Sequence, residues 1–223
     1  MHVDEALASR RSVRAFTDEP VKQATVEHIL EIASRAPSGT NCQPWKIYVA
    51  AGAVKQAISD DVLALRTSGR EQPRSEYVYS PKNIGEPYLT RRRTVGWDLY
   101  GLLDIKKGDR ERTFAQHNRN FTFFDAPVGL FFFVERHMER GAWLDLGMLL
   151  QGVMSAARGQ SLHTCPQVAW SNYHAIVRQH LGVPNTELLV CGMSLGVEDT
   201  HAVENSLRTA REPVANFAQF AGF

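Results

Sequence analysis

The sequence predicts an α+β fold, a single domain over residues 1–223 in which a β-sheet lies between helical layers. Two runs predict the sheet, APVGLFFFVE at 126–135 and ELLVCGMSLG at 187–196, because consecutive apolar residues are typical of strands buried on both faces. Helical spacing of apolar residues recurs around these runs in an irregular order. This irregular alternation favours an α+β domain.

The first 50 residues predict two helices and a strand. A short helix is expected at HVDEALAS, where Val3 and Leu7 are four residues apart, and a second at about 22–35, where apolar residues follow the i, i+3, i+4, i+7 spacing. The turn-forming residues of PSGTN end the second helix and form a loop. WKIYVA, which follows Pro44, is rich in aromatic and β-branched residues and is expected to be a strand.

The stretch from about 66 to 93 predicts a long loop or a partly ordered flap. It contains three prolines, few aliphatic residues and many charges, and loops of this length in a compact domain are usually functional or mobile. Arg91, Arg92 and Arg93 are interpreted as a solvated helix start. The alternative is that one of them contacts an anionic ligand, such as a substrate or a phosphate group.

The second half predicts three more helices and an extended segment. A polar helix is expected at about 109–119, and a long helix at about 142–158 has a broad apolar stripe, as in a helix buried on more than one side or at a subunit interface. HTCPQVAW is expected to be a loop or a short extended segment, followed by a helix at about 173–181. The tail, residues 200–223, carries three phenylalanines and should pack on another surface.

Composition excludes several classes of protein. The net charge of +1 gives no reason to expect a nucleic-acid partner. The amino terminus lacks the apolar core of a signal peptide, and the longest apolar run, VGLFFFV, is too short to span a bilayer. The three cysteines are widely spaced and predict neither a disulfide framework nor a metal site. We therefore expect a cytoplasmic protein without a membrane partner.

The stretch RRSVRAF at 10–16 has two interpretations, a solvated basic turn or a site for an anion such as phosphate. Arginine presents a planar fork of donors that matches phosphate oxygens, and the serine hydroxyl adds a neutral donor. Elsewhere the sequence has no dinucleotide fingerprint, phosphate loop, nucleophile elbow or metal motif. Anion-binding features without a nucleophile indicate that the chemistry resides in a bound cofactor.

Four segments in order carry a family resemblance: RRSVRAF (10–16), RAPSGTNCQPW (35–45), TCPQ (164–167) and LRTAREPV (207–214), with FFDAPV and DLGMLLQGVM between them. From about Ala6 to the carboxy terminus, the chain resembles the nitroreductase family of FMN-dependent flavoproteins. The resemblance implies a central, mostly antiparallel sheet flanked by helices. It also implies an interlocked homodimer with two FMN sites at the subunit interface and a tail that packs on the partner.

The resemblance assigns FMN contacts to four parts of the chain. The phosphate, the ribityl chain and one ring edge would be held by Arg10, Arg11, Ser12, Arg14 and Arg211, with Arg208 a looser match. The other subunit would line the flavin ring with Pro37, Ser38, Gly39, Asn41 and Gln43. Cys165, Pro166 and Gln167 would pass along the ring, with a backbone N–H near Val168 facing flavin N5. A phosphate monoester carries about two negative charges near pH 7, which suits this donor set.

The function implied is the reduction of nitroaromatic compounds by NADH or NADPH, with hydride passing through flavin N5 in a ping-pong cycle that converts nitro to hydroxylamine. One alternative is reductive dehalogenation of halogenated phenols, in which a lid would draw on Glu76, Tyr77, Lys82, Glu86 and Tyr88. Another is a flavin-binding or anion-binding protein without turnover. Cys42 is expected to be a small buried packing residue, with a redox role beside the flavin as the alternative.

Overall fold

The computed structural model describes all 223 residues and is built on a four-stranded antiparallel sheet in the order β1-β2-β4-β3. The strands are β1 Trp45–Ala51, β2 Val128–Glu135, β3 His163–Gln167 and β4 Glu187–Gly196. The two apolar runs form the central pair β2 and β4, as predicted. The segment expected to be a loop or a short extended stretch forms β3, at one edge of the sheet.

Seven helices surround the sheet: α1 Val3–Ser9, α2 Gln23–Ala33, α3 Gly52–Thr67, α4 Tyr88–Leu102, α5 Arg110–Asn118, α6 Arg140–Gly159 and α7 His174–Leu181. Helix α3 was not predicted from the sequence. Only Ile58, Ser59 and Val62 of its 16 residues are buried, and so narrow a buried stripe gives a weak periodic signal. None of the helices has the length and apolar composition needed to cross a bilayer.

Both faces of the sheet are covered, which explains the uninterrupted apolar runs. Phe131 and Phe133 of β2 lie in one core with residues of α3 and α7, while Leu130 and Phe132 lie in the other core with residues of α2 and α6. In the first core Phe123 stacks on Trp170, with ring centroids 4.6 Å apart. The sheet therefore alternates side chains between two buried layers.

The segment between α3 and α4 is shorter than the predicted flap. Helix α3 continues to Thr67 and α4 begins at Tyr88, so that the non-helical part covers 68–87 instead of 66–93. The three arginines at 91–93 accordingly lie in the first turns of a helix.

The middle of segment 68–87 is anchored to the core. The Glu76 carboxylate accepts hydrogen bonds from Arg136, at 2.6 Å, and from Arg178, at 3.1 Å. The Tyr77 ring contacts Trp143 edge to face at 4.7 Å, and its hydroxyl donates to the backbone of β4. Two of the proposed lid residues therefore attach the segment to its own core, which removes them from the lid postulated for dehalogenation.

The tail ends without regular structure beyond two short 3-10 turns, Val203–Ser206 and Val214–Asn216. Phe217 and Phe220 are about 70% exposed and Phe223 is fully exposed. Nothing within one chain covers these three rings.

Candidate active site

Residues 10–14 run beside the edge strand β3. Ser12 forms a parallel bridge with Thr164, and the Val13 N–H donates to the Thr164 carbonyl at 3.1 Å. The Val13 side chain is completely buried in the core, which fixes this segment in position. Arg10, Ser12 and Arg14 are half-buried at the surface beside it.

Arg211, from the other end of the chain, lies near enough to Arg10 to affect its pKa, and neither arginine forms a salt bridge. Burial and the nearby Arg211 both lower the pKa of Arg10. The Arg211 guanidinium donates only to Thr209 and the Ala210 carbonyl, and that of Arg14 only to the Ser12 carbonyl. Unneutralised cations held side by side repel each other, and a bound anion relieves that repulsion. The arrangement fits a phosphate group.

Arg11 is different, because its guanidinium is already paired. It forms a salt bridge with Glu198, whose side chain is 6% exposed. The Arg11 side chain therefore has a structural partner within the chain, and its contact with a phosphate stays a prediction. The sequence separation of 187 residues between the partners leaves no local pattern that would indicate this pair.

The Arg11–Glu198 pair belongs to a buried charge cluster with His163 and Arg158. His163 Nε2 lies 3.3 Å from the Glu198 carboxylate and 2.8 Å from Arg158 Nη1. Burial, Arg158 and Arg11 together lower the pKa of His163 to about 4. His163 is therefore neutral at pH 7, and its Nε2 accepts from Arg158.

The TCPQ segment includes two predicted site residues whose side chains are buried in the protein, Cys165 and Gln167. Cys165 is buried, and burial raises the pKa of its thiol to about 11, so that the thiol stays protonated. The Gln167 side chain accepts from Ser194 at 2.9 Å and donates to the Asn120 carbonyl at 2.6 Å, which fixes the orientation of its amide. Pro166 is exposed. This segment can therefore offer its backbone and Pro166 to a ligand, and contact between the Gln167 amide and the flavin stays a prediction.

A cavity of about 210 Å³ lies against Arg14, Cys165 and Pro166. Its remaining wall comes from residues that the sequence analysis did not single out: Leu99, Tyr100, Gln116, His117, Asn120 and Phe124. Burial and then Arg66 lower the pKa of His117. Helices α4 and α5 supply most of this wall, and because neither has a buried residue, their sequences gave no sign of a site.

The PSGTN loop is held rigidly before β1. The Gly39 N–H donates to the buried Asp145 carboxylate of α6, at 3.2 and 3.3 Å, and the Gln43 N–H donates to Ser38 Oγ at 3.0 Å. Thr40, Asn41 and Gln43 have positive φ angles of 49°, 61° and 48°, a strained conformation that persists only where its surroundings fix it. The exposed Pro37, Asn41 and Gln43 side chains are thereby fixed in place.

Two residues of this region depart from expectation. Asp145 was not predicted, although a carboxylate within the apolar stripe WLDLGMLL is a detectable signal for a buried polar contact. Cys42 is exposed, not buried, and its Sγ lies 3.3 Å from Thr40 Oγ1.

The loop and the arginine segment lie far apart in one chain. Ser12 pairs with Thr164 of β3, and Thr164 pairs with Leu195 of β4. Leu195 in turn pairs with Val128 of β2, which pairs with Ala51 of β1. Across the sheet, Ser12 is therefore level with Ala51, the last residue of β1. The loop instead precedes Trp45, at the opposite end of that strand. The path from Ser12 to Trp45 crosses the sheet in four steps of about 4.8 Å and then runs along β1 at about 3.3 Å per residue. Ser12 and Trp45 are therefore roughly 28 Å apart. One chain therefore presents two half-sites at opposite corners of the sheet.

Comparison with known proteins identifies the family. The model of the nitroreductase family matches residues 7–197. The chain belongs to the nitroreductase family. It is 38% identical over 99% of its length, and 96% of the relative's, to a 4-nitrobenzoate reductase of Pseudomonas putida. It is 36% identical over 98% of its length, and 96% of the relative's, to a nitrobenzene nitroreductase of Ectopseudomonas oleovorans.

A solved member of the family has nearly the same backbone. The FMN- and NADPH-dependent nitroreductase NfnB from Sphigopyxis sp. strain HMH superposes with a TM-score of 0.96 and 41% sequence identity, covering 100% of both chains. This agreement confirms the predicted α+β fold and its antiparallel sheet flanked by helices.

Proposed function

We propose that this member of the nitroreductase family is an FMN-dependent enzyme that reduces nitroaromatic compounds with NADPH or NADH. The observation that carries the proposal is the position of the arginine segment beside β3, where Arg10 and Arg14 form no salt bridge and Arg14 borders the 210 Å³ cavity with Cys165 and Pro166. Relatives spanning the whole chain are named for the reduction of nitrobenzoate and nitrobenzene, and a solved relative is described as dependent on FMN and NADPH.

The donor set fits FMN. Arg10 and Arg211 would bind the phosphate, because charge-assisted hydrogen bonds from arginine match phosphate oxygens. The Ser12 hydroxyl and Arg14 would continue toward the ribityl chain and the ring edge, since Arg14 lies at the wall of the cavity beside Pro166. When bound, FMN supplies a redox centre that takes hydride from reduced nicotinamide and delivers it to a nitro group.

The protein's own contribution is to bind, orient and limit access of water. The Tyr100 and Phe124 side chains give the 210 Å³ cavity aromatic walls, and Arg14 provides a cation at its edge. The cavity residues include no nucleophile free to act, because burial keeps the Cys165 thiol protonated. The chemistry therefore requires only a cofactor and a correctly placed substrate.

The test of this function is direct. Purified protein should carry about one noncovalent FMN per chain, identified by chromatography of the pigment released on denaturation. It should convert 4-nitrobenzoate to the hydroxylamine, consuming two NADPH and two protons and releasing one water for each nitro group. Release of FAD, or an FMN-loaded protein that oxidises neither NADPH nor NADH with any nitroaromatic, would refute the proposal.

We also propose a homodimer in which each FMN lies between the arginine segment of one subunit and the PSGTN loop of its partner. The separation of the two half-sites in one chain supports this arrangement. Helix α6 packs against both α1 and α2, and large apolar side chains are exposed on these three helices: Val3, Leu7, Ile32, Leu144 and Met148. An apolar surface of this kind, next to the loop, is typical of a subunit interface.

A Leu144→Asp substitution should separate the subunits and release FMN, because it places a charge in the apolar interface. Sedimentation of the native protein should give about twice the chain mass of 25.0 kDa, and the variant should sediment at the chain mass. Val54→Asp is the matched control, since Val54 is 47% exposed on α3 at the other face of the sheet. An FMN-loaded native monomer would contradict the shared site.

A further inference from the structure

A second, larger groove runs between α4 and α5. It encloses about 620 Å³ and is lined by both helices and the turn that joins them. Its charged and aromatic lining consists of Arg92, Arg93, Trp97, Tyr100, Lys106 and Lys107. Arg92 and Arg93 were predicted to be solvated, with contact to an anionic substrate or the phosphate of NADPH as the alternative, and the other residues had no predicted role.

The groove is strongly cationic because its four basic side chains form no salt bridges. Arg91, the neighbouring arginine, is by contrast paired with Glu212 at 2.8 Å. Of the nearby carboxylates, Asp109 accepts a hydrogen bond from the Arg112 N–H and caps α5. In a protein with a net charge of +1, four unpaired cations around one groove create a local field that attracts anions.

The groove also offers an exposed aromatic face. The Trp97 side chain is 65% exposed, although large aromatic side chains are usually buried. Aromatic faces next to cations suit nucleotides, because a base stacks on the ring while the phosphates meet the cations. The groove therefore has the two features that a phosphorylated nucleoside requires.

The groove adjoins the candidate active site at Tyr100. Tyr100 lines both the groove and the cavity that contains Arg14, Cys165 and Pro166. A ligand that lies across Tyr100 can therefore place one end in the groove and the other at the flavin site. A dinucleotide has this extended form, with its reactive nicotinamide at one end and its adenosine at the other.

We propose that this groove binds the adenosine-phosphate half of NADPH, with Arg92, Arg93, Lys106 and Lys107 around the 2′-phosphate and the pyrophosphate and with Trp97 against the adenine. This inference rests on the proposed function and makes it more specific. Four cations exceed what the single carboxylate of a nitrobenzoate needs. They suit NADPH, whose 2′-phosphate adds about two negative charges that NADH lacks. The enzyme should consequently prefer NADPH.

The test is a double variant, Arg92→Gln with Arg93→Gln, in the FMN-loaded protein. Calorimetric titration with adenosine 2′,5′-bisphosphate should show binding to the native protein and at least tenfold weaker binding to the variant, as expected for loss of charge-assisted contacts. Adenosine 5′-monophosphate, which lacks the 2′-phosphate, should bind weakly to both. Lys22→Gln, which removes one exposed cation at the start of α2, is the matched control and should bind like the native protein.

Kinetics provides the second readout. The KM for NADPH should rise at least tenfold in the variant, and the KM for NADH less than threefold. Lys106→Gln with Lys107→Gln should act in the same direction, and it serves as the alternative if the arginine variant does not fold. Sedimentation of each variant should show the same oligomeric state as the native protein.

The outcomes separate this inference from the proposed function. Unchanged affinity for the bisphosphate and unchanged KM for NADPH in an active enzyme would overturn the groove assignment alone. A KM that rises for 4-nitrobenzoate but not for NADPH or for uncharged nitrobenzene would also overturn it, and would assign the cations to an anionic substrate. Protein that binds the bisphosphate but carries no FMN and reduces no nitroaromatic would refute the proposed function instead.

Discussion

An Arg11→Ala variant is expected to lose about 3 kcal/mol of unfolding free energy, because breaking a buried ion pair leaves an uncompensated charge inside the protein. The charge left behind is the Glu198 carboxylate, which is 6% exposed. Urea denaturation at a fixed protein concentration measures the loss. Arg14→Ala is the matched control. Its guanidinium donates only to the Ser12 carbonyl, so its removal should cost less than about 1 kcal/mol.

The same variant should change the pH dependence of stability through His163. In the native protein the pKa of His163 is about 4, against an ordinary value of 6.5. Between these values the unfolded chain binds a proton that the folded chain does not, so stability falls as pH decreases from 6.5 toward 4, by at most about 1.4 kcal/mol per pH unit. Removing Arg11 removes one cause of the lowered pKa, and the decline should become shallower.

Two results would contradict this account of Arg11. If Arg11→Ala and Arg14→Ala unfold at the same urea concentration, the ion pair with Glu198 does not stabilise the fold. If, in addition, Arg11→Ala loses affinity for FMN but not for riboflavin, its guanidinium holds the phosphate after all. A double variant that also carries Glu198→Gln should recover part of the lost stability, since no unpaired buried carboxylate remains.

Replacement of Arg10 or Arg211 by alanine should weaken FMN binding about tenfold to a hundredfold, the equivalent of one charge-assisted hydrogen bond of about 1.5–3 kcal/mol. The reason is that Arg211 lies near enough to Arg10 to lower its pKa, and no carboxylate pairs with either side chain. Fluorescence titration of the apoprotein at fixed salt measures the affinity. Global stability should change little, because neither side chain forms a salt bridge within the chain.

Riboflavin is the control ligand, since it carries the same ring without the phosphate. Its affinity should be nearly unchanged in Arg10→Ala and Arg211→Ala. Arg14→Ala should weaken FMN and riboflavin alike, because Arg14 lies at the wall of the cavity beside Pro166. Equal losses for both ligands in the Arg10 and Arg211 variants would show that RRSVR and the tail do not form a phosphate site.

The sequence predicted best the bounds of those strands and helices whose burial pattern is the same along their whole length. Strand β4 was predicted at 187–196 and is observed at Glu187–Gly196, since burial on both faces leaves an uninterrupted apolar run. Helix α6 was predicted at about 142–158 and is observed at Arg140–Gly159, because its apolar stripe persists over several turns. Helix α3 was missed because so little of it is buried.

The candidate site was only partly predictable from the sequence. The segments that contain Arg10, Gly39, Cys165 and Arg211 were recognisable because their residue types recur together in order. The wall contributed by α4 and α5 was not, since Leu99, Gln116 and His117 lie on helices without a buried face. The role of Asp145 depends on a contact with Gly39 across 106 residues, and periodicity carries no information about such contacts.

The sequence by itself determined the α+β class, the central strands and the family, because buried strands and short polar motifs are local patterns in the chain. Only the tertiary structure decided which arginines are free. Arg10 and Arg11 are adjacent in the sequence, yet Arg11 is neutralised by Glu198 while Arg10 forms no salt bridge and lies near Arg211, which lowers its pKa. The physical reason is that the strength and the partner of a charge depend on distance and burial in three dimensions, and folding brings residues nearly 200 positions apart into contact.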